Sequence, residues 1–223
     1  MGMGVAVRNR IAKRAAQEIK VGMIVNLGIG IPSLVPNHLE QHHNVMFQAE
    51  NGIVGMGPSP RSGEEDENLC NAGGLPVTVL PGASYCDSSI AFGMIRKGII
   101  DVTILGALQV SEKGDLANWI VPGKRVPGMG GAMELAQKAK KVIVVMNHFD
   151  KKGQSKIVKN CTLPLTSMKC VDLIITDMAV FQIEQGSLVL LEYFSTTTIE
   201  EIQKMTACPF KVHQEVKRIF VKE

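Results

Sequence analysis

One carboxylate in this chain has a setting suited to chemistry. Glu50 lies in the run Gln48-Ala49-Glu50-Asn51-Gly52-Ile53-Val54-Gly55-Met56-Gly57, with three glycines in the seven residues that follow it. The apolar stretch Asn44-Val45-Met46-Phe47 leads into it and reads as a buried strand. A carboxylate at such a strand end, on a backbone built for close approach, is costly to bury unless it is paired or used. A strand-end glutamate that simply reaches solvent would explain this segment as well.

The elements that must position Glu50 alternate along the chain. A helix with Val7, Ile11, Ala15 and Ile19 at i, i+4 spacing opens it and is expected to end at Gly22. A strand at 23–27 leads through Gly28-Ile29-Gly30 into a helix with Pro32 in its first turn, running to about His42. Strands follow at 44–48 and 76–80, with a loop at 58–68 between them. Asp87 caps a helix that runs to Lys97 and stops at Gly98. Strands at 102–105 and 142–146 flank a glycine-rich loop at 121–131 and a helix at 134–141. Strands at 173–176, 180–183 and 188–192 close the sheet, the last two as a hairpin turning at Gly186, and Thr198 with Glu201 forms a capping box for a late helix. Strands alternating with helices predict an α/β fold, a mostly parallel sheet flanked by helices, over one domain spanning residues 1–223.

Composition narrows the partners. A net charge of +3, with one Trp and two Tyr, offers none of the basic and aromatic interleaving of nucleic-acid binders, so none is expected as a partner. No apolar run reaches the ~18 residues of a membrane span, and no secretory leader is expected. Five cysteines without CxxC spacing suggest a reduced, cytoplasmic protein with no catalytic thiol. The acidic run Glu64-Glu65-Asp66-Glu67 reads as a solvated loop; its ligands are poorly spaced for a metal, and no metal site is expected.

Three glycine loops remain: Asn26-Leu27-Gly28-Ile29-Gly30, Asn71-Ala72-Gly73-Gly74 and Gly128-Met129-Gly130-Gly131-Ala132. None is a Walker A loop or a full Gly-x-Gly-x-x-Gly fingerprint, and each alone could be an ordinary α/β turn. Together with Glu50-Asn51-Gly52, Leu80-Pro81-Gly82-Ala83, Ala117-Asn118-Trp119 and the extension through Pro127 and Met133, they stand in the order found in one family. The chain resembles the β subunit of the family I CoA-transferases, of the 3-oxoacid or acetate/acetoacetate type, over most of residues 8–215. One position departs from the pattern: Ala49 stands where the family usually has Ser before the glutamate.

The resemblance implies a CoA-transferase/sugar-isomerase-like fold and a specific chemistry. Glu50 is then the nucleophile that attacks an acyl-CoA and becomes a glutamyl-CoA thioester. CoA serves as substrate and covalent intermediate, and no permanently bound cofactor is needed. A carboxylate suits this role because it is ionised at neutral pH without a general base. The loop at Gly130, Gly131 and Ala132 is implied to lie against Glu50 and supply oxyanion donors, with Asn26 as its polar neighbour and Asn51 and Gly52 shaping the turn. His148 is expected to be structural. The family's α subunit is the implied partner, in a heterodimer or a tetramer of two α and two β subunits, since 223 residues match only the catalytic half. Two rival readings are a sugar-phosphate isomerase on a related sheet and a non-catalytic acyl-CoA-binding subunit. The first lacks a Lys, Asp or His constellation around a phosphate loop; the second makes Glu50 dispensable.

Overall fold

The computed structural model describes residues 4–39, 44–123, 126 and 128–221. In chain order its elements are α1 (Val5–Ala16), β1 (Ile24–Leu27), a 3-10 helix (Pro32–His38), β2 (Met46–Ala49), β3 (Ile53–Met56), β4 (Val79–Tyr85), α2 (Ser88–Arg96), β5 (Val102–Gly106), β6 (Gln109–Ser111), β7 (Leu116–Ala117), α3 (Ala132–Lys138), β8 (Lys141–Val145), β9 (Ile157–Val158), β10 (Leu173–Ile175), β11 (Ala179–Glu184), β12 (Ser187–Phe194), α4 (Ile199–Met205) and β13 (Lys211–Ile219). Ten strands form one sheet in the order β13-β12-β11-β10-β8-β5-β1-β2-β3-β4, and β7-β6-β9 form a small second sheet.

The centre of the large sheet, from β10 through β8, β5 and β1 to β2, is parallel throughout. Within it β5, β8 and β10 are short Val/Ile-rich runs buried on both faces, which is why they read as largely apolar segments. At one edge β3 and β4 run antiparallel; at the other, β11 and β12 form the expected hairpin and β13 lies parallel to β12. Gln185 (φ 50°) and Gly186 (φ 73°) make the tight turn of that hairpin. The α/β architecture expected from the sequence, a mostly parallel sheet flanked by helices, is present.

Alternating side chains divide the core into two layers. Val25, Phe47, Ile104, Ile143 and Ile175 pack against α1 through Ile11, Ala12 and Ala15. Leu105, Val142, Val144 and Ile174 face the opposite way, towards Ile95 of α2, Leu135 of α3 and Ile202 of α4. Arg14 locks α1 down: its guanidinium donates to both carboxylate oxygens of Glu192 at 2.6 and 3.0 Å and to Glu18 at 2.7 Å. Lys141 Nζ donates to the other Glu18 oxygen at 2.7 Å.

Several expectations shift. Helix α1 ends at Ala16, where the backbone tightens so that Gln17, Glu18 and Ile19 donate to carbonyls three residues back; Ile19 is still buried, but Gly22 (φ 79°) belongs to the next turn. The second helix is 3-10 and ends at His38, where Leu39 is already extended; the rest of the expected run to His42 lies outside the described residues. The strand expected at 76–80 is Val79–Tyr85, and the helix expected at 134–141 is Ala132–Lys138, because Lys141 already belongs to β8. Asp87 caps α2 by accepting from Ser89 N, and Thr198 with Glu201 forms the full capping box of α4, both as read from the sequence.

Candidate active site

Glu50 follows β2 at the C-terminal end of the parallel strands, the end at which open α/β sheets collect their ligands. The chain reverses there: Glu50 and Asn51 form the turn between β2 and β3. Gly52 makes this turn possible. Its φ is 113°, and a Cβ there would come within 2.1 Å of the Cys86 carbonyl oxygen. The Cys86 N–H donates to the Gly52 carbonyl at 2.8 Å, and Asn51 Nδ2 donates to the Cys70 carbonyl at 2.8 Å, so the turn is held from two sides. Asn51 itself is exposed.

Asn26 reaches Glu50 from the neighbouring strand. It is fully buried, and Nδ2 donates to Glu50 Oε2 at 3.1 Å. On the other side of the carboxyl group, Gly131 comes so close that a Cβ built on it would sit 3.4 Å from Glu50 Oε1 and 3.5 Å from Cδ. Gly131 is the residue before α3, so this one residue of the loop stands beside Glu50, with room for a methyl group in ordinary contact. Gly130 (φ 55°) is exposed and Ala132 half-buried beside it; Pro127, in the same motif, lies outside the described residues. The other glycine loops converge on the same sheet end. Gly28 N donates to the Ile104 carbonyl at 2.8 Å, and a Cβ on Gly73 would meet Ile29 Cγ1 at 2.9 Å.

Sequence reasoning passed over Gln48. It is fully buried, its Oε1 accepts from Asn26 Nδ2 at 2.8 Å, and its Nε2 donates to the Ala91 carbonyl of α2 at 3.2 Å. The available signal was a primary amide inside an otherwise apolar strand, which demands buried partners. His148 is wholly buried, with its ring nitrogens at the Thr176 and Thr206 hydroxyls, 3.3 and 3.1 Å away. Burial holds its pKa down at about 4, against the raising effect of Asp177. Among the described residues no cluster of His, Cys, Asp or Glu could hold a metal ion, and no helix is long and apolar enough to cross a membrane.

The arrangement offers one carboxylate, an amide donor on one oxygen and glycine backbone on the other flank, which suits a nucleophile attacking a carbonyl. Comparisons with known proteins bear on that chemistry. The coenzyme A transferase family model matches residues 8–204. The chain is 63% identical over 212 residues to the β subunit of a probable coenzyme A transferase of Bacillus subtilis, covering 95% of this chain and 98% of that one. It is 53% identical over 209 residues to the corresponding subunit of the same organism's probable succinyl-CoA:3-ketoacid coenzyme A transferase, covering 94% and 97%. A rat mitochondrial succinyl-CoA:3-ketoacid coenzyme A transferase is 50% identical over 212 residues, which are 94% of this chain and 41% of the rat protein. Among solved structures, the acyl-CoA transferase YdiF apoenzyme of Escherichia coli O157:H7 superposes with a TM-score of 0.77 at 19% identity, over 98% of this chain and 44% of that one. The decarboxylase AibA/AibB superposes at 0.70 and 16%, over 99% and 91%, so this fold by itself does not choose the reaction. The family match and the close relatives do choose the family: the chain belongs to the coenzyme A transferases and is of their β-subunit type.

Proposed function

We propose that this chain is the nucleophile-bearing subunit of a heteromeric CoA-transferase that moves CoA from an acyl-CoA to a carboxylic acid, with a 3-oxo acid as one of the pair. The observation that carries the reading is Glu50 itself, presented at the C-terminal end of the sheet with Asn26 on one oxygen and Gly131 against the other. A Glu50 oxygen attacks the thioester carbonyl, the C–S bond breaks, and a mixed anhydride and a CoA thiolate result. The thiolate then attacks the Glu50 carbonyl carbon, the bond between Glu50 Cδ and the bridging anhydride oxygen breaks, and the donor acid leaves as its carboxylate, taking that oxygen with it. Glu50 now carries CoA as a thioester. The acceptor carboxylate attacks that thioester and expels the thiolate, which attacks the acceptor carbonyl of the new anhydride and releases Glu50 as a carboxylate. One thioester is formed for each one broken, so the activation is conserved and no ATP is consumed.

Asn26, Asn51, Gly52, Gly130, Gly131 and Ala132 act in this reading as the nucleophile's setting. Asn26 and the N–H groups of the 130–132 loop stabilise negative charge as each tetrahedral centre forms, and Asn51 and Gly52 hold the turn. The partner is an α subunit, in a heterodimer or a tetramer of two α and two β subunits, that completes the CoA and acid sites. The rat relative, in which the matched part is 41% of a longer chain, supports that division. So do the exposed apolar side chains of Ile29 (67%), Leu75 (47%) and Met133 (42%) on or beside the glycine loops. The chain works as one domain in the cytoplasm; its five cysteines are all free thiols.

The test is CoA exchange between succinyl-CoA and acetoacetate by the complex of this chain with its α subunit. Glu50→Gln is expected to lower kcat by about a thousandfold or more, because an amide cannot carry the covalent step. Activity within tenfold of the unsubstituted complex would favour the non-catalytic reading. Carbon dioxide release without CoA exchange would favour a decarboxylase.

A further inference from the structure

Behind Glu50 a row of polar side chains crosses three parallel strands. Gln48 of β2, Asn26 of β1 and Thr103 of β5 are register partners, and all three are fully buried. Their chain neighbours Val25, Phe47 and Val102 belong to the α1 side of the core, so the polar row faces the other way, under α2. Polar groups are costly in such a place unless each has a partner and a definite orientation.

The hydrogen bonds run in one direction. The Ala91 carbonyl of α2 can only accept, so the nitrogen end of the Gln48 amide turns to it, at 3.2 Å. Gln48 Oε1 is thereby turned to Asn26, whose Nδ2 donates to it at 2.8 Å. The same Nδ2 lies 3.1 Å from the Gln48 backbone carbonyl and 3.1 Å from Glu50 Oε2. Three acceptors thus surround the Asn26 nitrogen. A flipped Asn26 amide would set its oxygen against all three, including the carboxylate. Asn26 Oδ1, on the far side, and the Thr103 hydroxyl are both buried without a partner among the described residues. Thr103 is the register neighbour on that side and carries a rotatable donor of the type Oδ1 needs.

We propose that Gln48 is a positioning residue for the transferase reaction: oriented by the Ala91 carbonyl, it fixes the Asn26 amide so that an N–H, and never the oxygen, faces Glu50. The proposal rests on Glu50 being the nucleophile. Gln48 touches neither substrate nor the reacting carboxyl group through its side chain; it acts through Asn26. When a tetrahedral centre forms at Glu50, a donor already held in place requires no reorganisation, whereas an amide free to flip spends part of its time repelling the developing charge.

The test is a double-mutant cycle in the complex with the α subunit. Gln48→Met keeps the volume and removes both amide contacts; it is expected to lower kcat about 10- to 100-fold with the KM for acyl-CoA unchanged within about twofold. In an Asn26→Ala background the same substitution should cost less than about threefold, because the group it orients is gone. Equal losses in the two backgrounds, or a loss confined to KM, would overturn the proposal. Gln48→Glu is the second arm, should the Met variant not fold. A neutral carboxyl can still donate to Ala91 and accept from Asn26, whereas an ionised one cannot donate. Its kcat, relative to the unsubstituted complex, should therefore fall as pH rises; a ratio independent of pH would contradict the relay. Failure of the unsubstituted complex to exchange CoA at all would instead refute the transferase reading, so the two failures are distinguishable.

Discussion

Gly131 and Glu50 are neighbours across the site: a Cβ built on Gly131 would stand 3.4 Å from Glu50 Oε1 and 3.5 Å from Cδ, an ordinary van der Waals contact. Its backbone (φ −79°, ψ −2°) is open to any residue, so the conformation does not demand glycine there. What the position constrains is the space over the carboxylate, which a methyl group would fill at ordinary contact distance.

Gly131→Ala should therefore separate folding from catalysis. The new methyl would stand about as close as ordinary contacts allow, 3.4 Å from Glu50 Oε1, so the melting temperature should move by less than about 2 °C. The same methyl would crowd the carboxyl group as it becomes tetrahedral, and kcat should fall about 10- to 100-fold. Thermal melting and steady-state exchange on one preparation would check both halves.

At Gly52 the expectation is reversed. Both the positive φ of 113° and the 2.1 Å approach to the backbone oxygen of Cys86 exclude a side chain. Gly52→Ala must move backbone, and urea unfolding should show a loss of about 3 kcal/mol or more. A loss below about 0.5 kcal/mol would mean that the turn is not held against Cys86 as described.

His148 predicts the pH dependence of stability. Burial lowers its folded pKa to about 4, from an unfolded value of 6.5. Because the folded value is the lower one, its contribution is complete above pH 6.5 and is lost as pH falls towards 4, where the unfolded chain takes up a proton that the native state refuses. The loss is on the order of 3 kcal/mol across that window. His148→Gln has no such titration, so the stability difference between the two proteins should shrink by about that amount between pH 6.5 and 4. A pH-independent difference would contradict the buried neutral imidazole.

The central strands, the caps at Asp87 and Thr198, and the hairpin at Gly186 were legible because each has a strong local cause: unbroken apolar runs, a side-chain cap or a positive-φ turn. β3 was not, because its four residues are interrupted by Gly55 and are too few to show a strand pattern. β13 was missed for a different reason. Lys211–Ile219 is exposed along most of its length at the sheet edge, so burial imposed no apolar pattern on it. β6, β7 and β9 are two or three residues long and are held by tertiary pairing that no local sequence encodes. At the site, Glu50 and Asn26 could be named from motifs, and the structure brings them to 3.1 Å. Gln48 escaped notice because its role depends on a register between strands and on a helix carbonyl 43 residues away.

The proposed reaction requires Glu50 to become covalently attached to CoA. The most direct measurement is peptide mass spectrometry of the complex with its α subunit after incubation with succinyl-CoA and no acceptor acid. A CoA-sized adduct is expected on the peptide containing Glu50, absent in Glu50→Gln and discharged on adding acetoacetate. A folded complex that binds succinyl-CoA yet shows no adduct, or carries it on another residue, would contradict the proposed reaction.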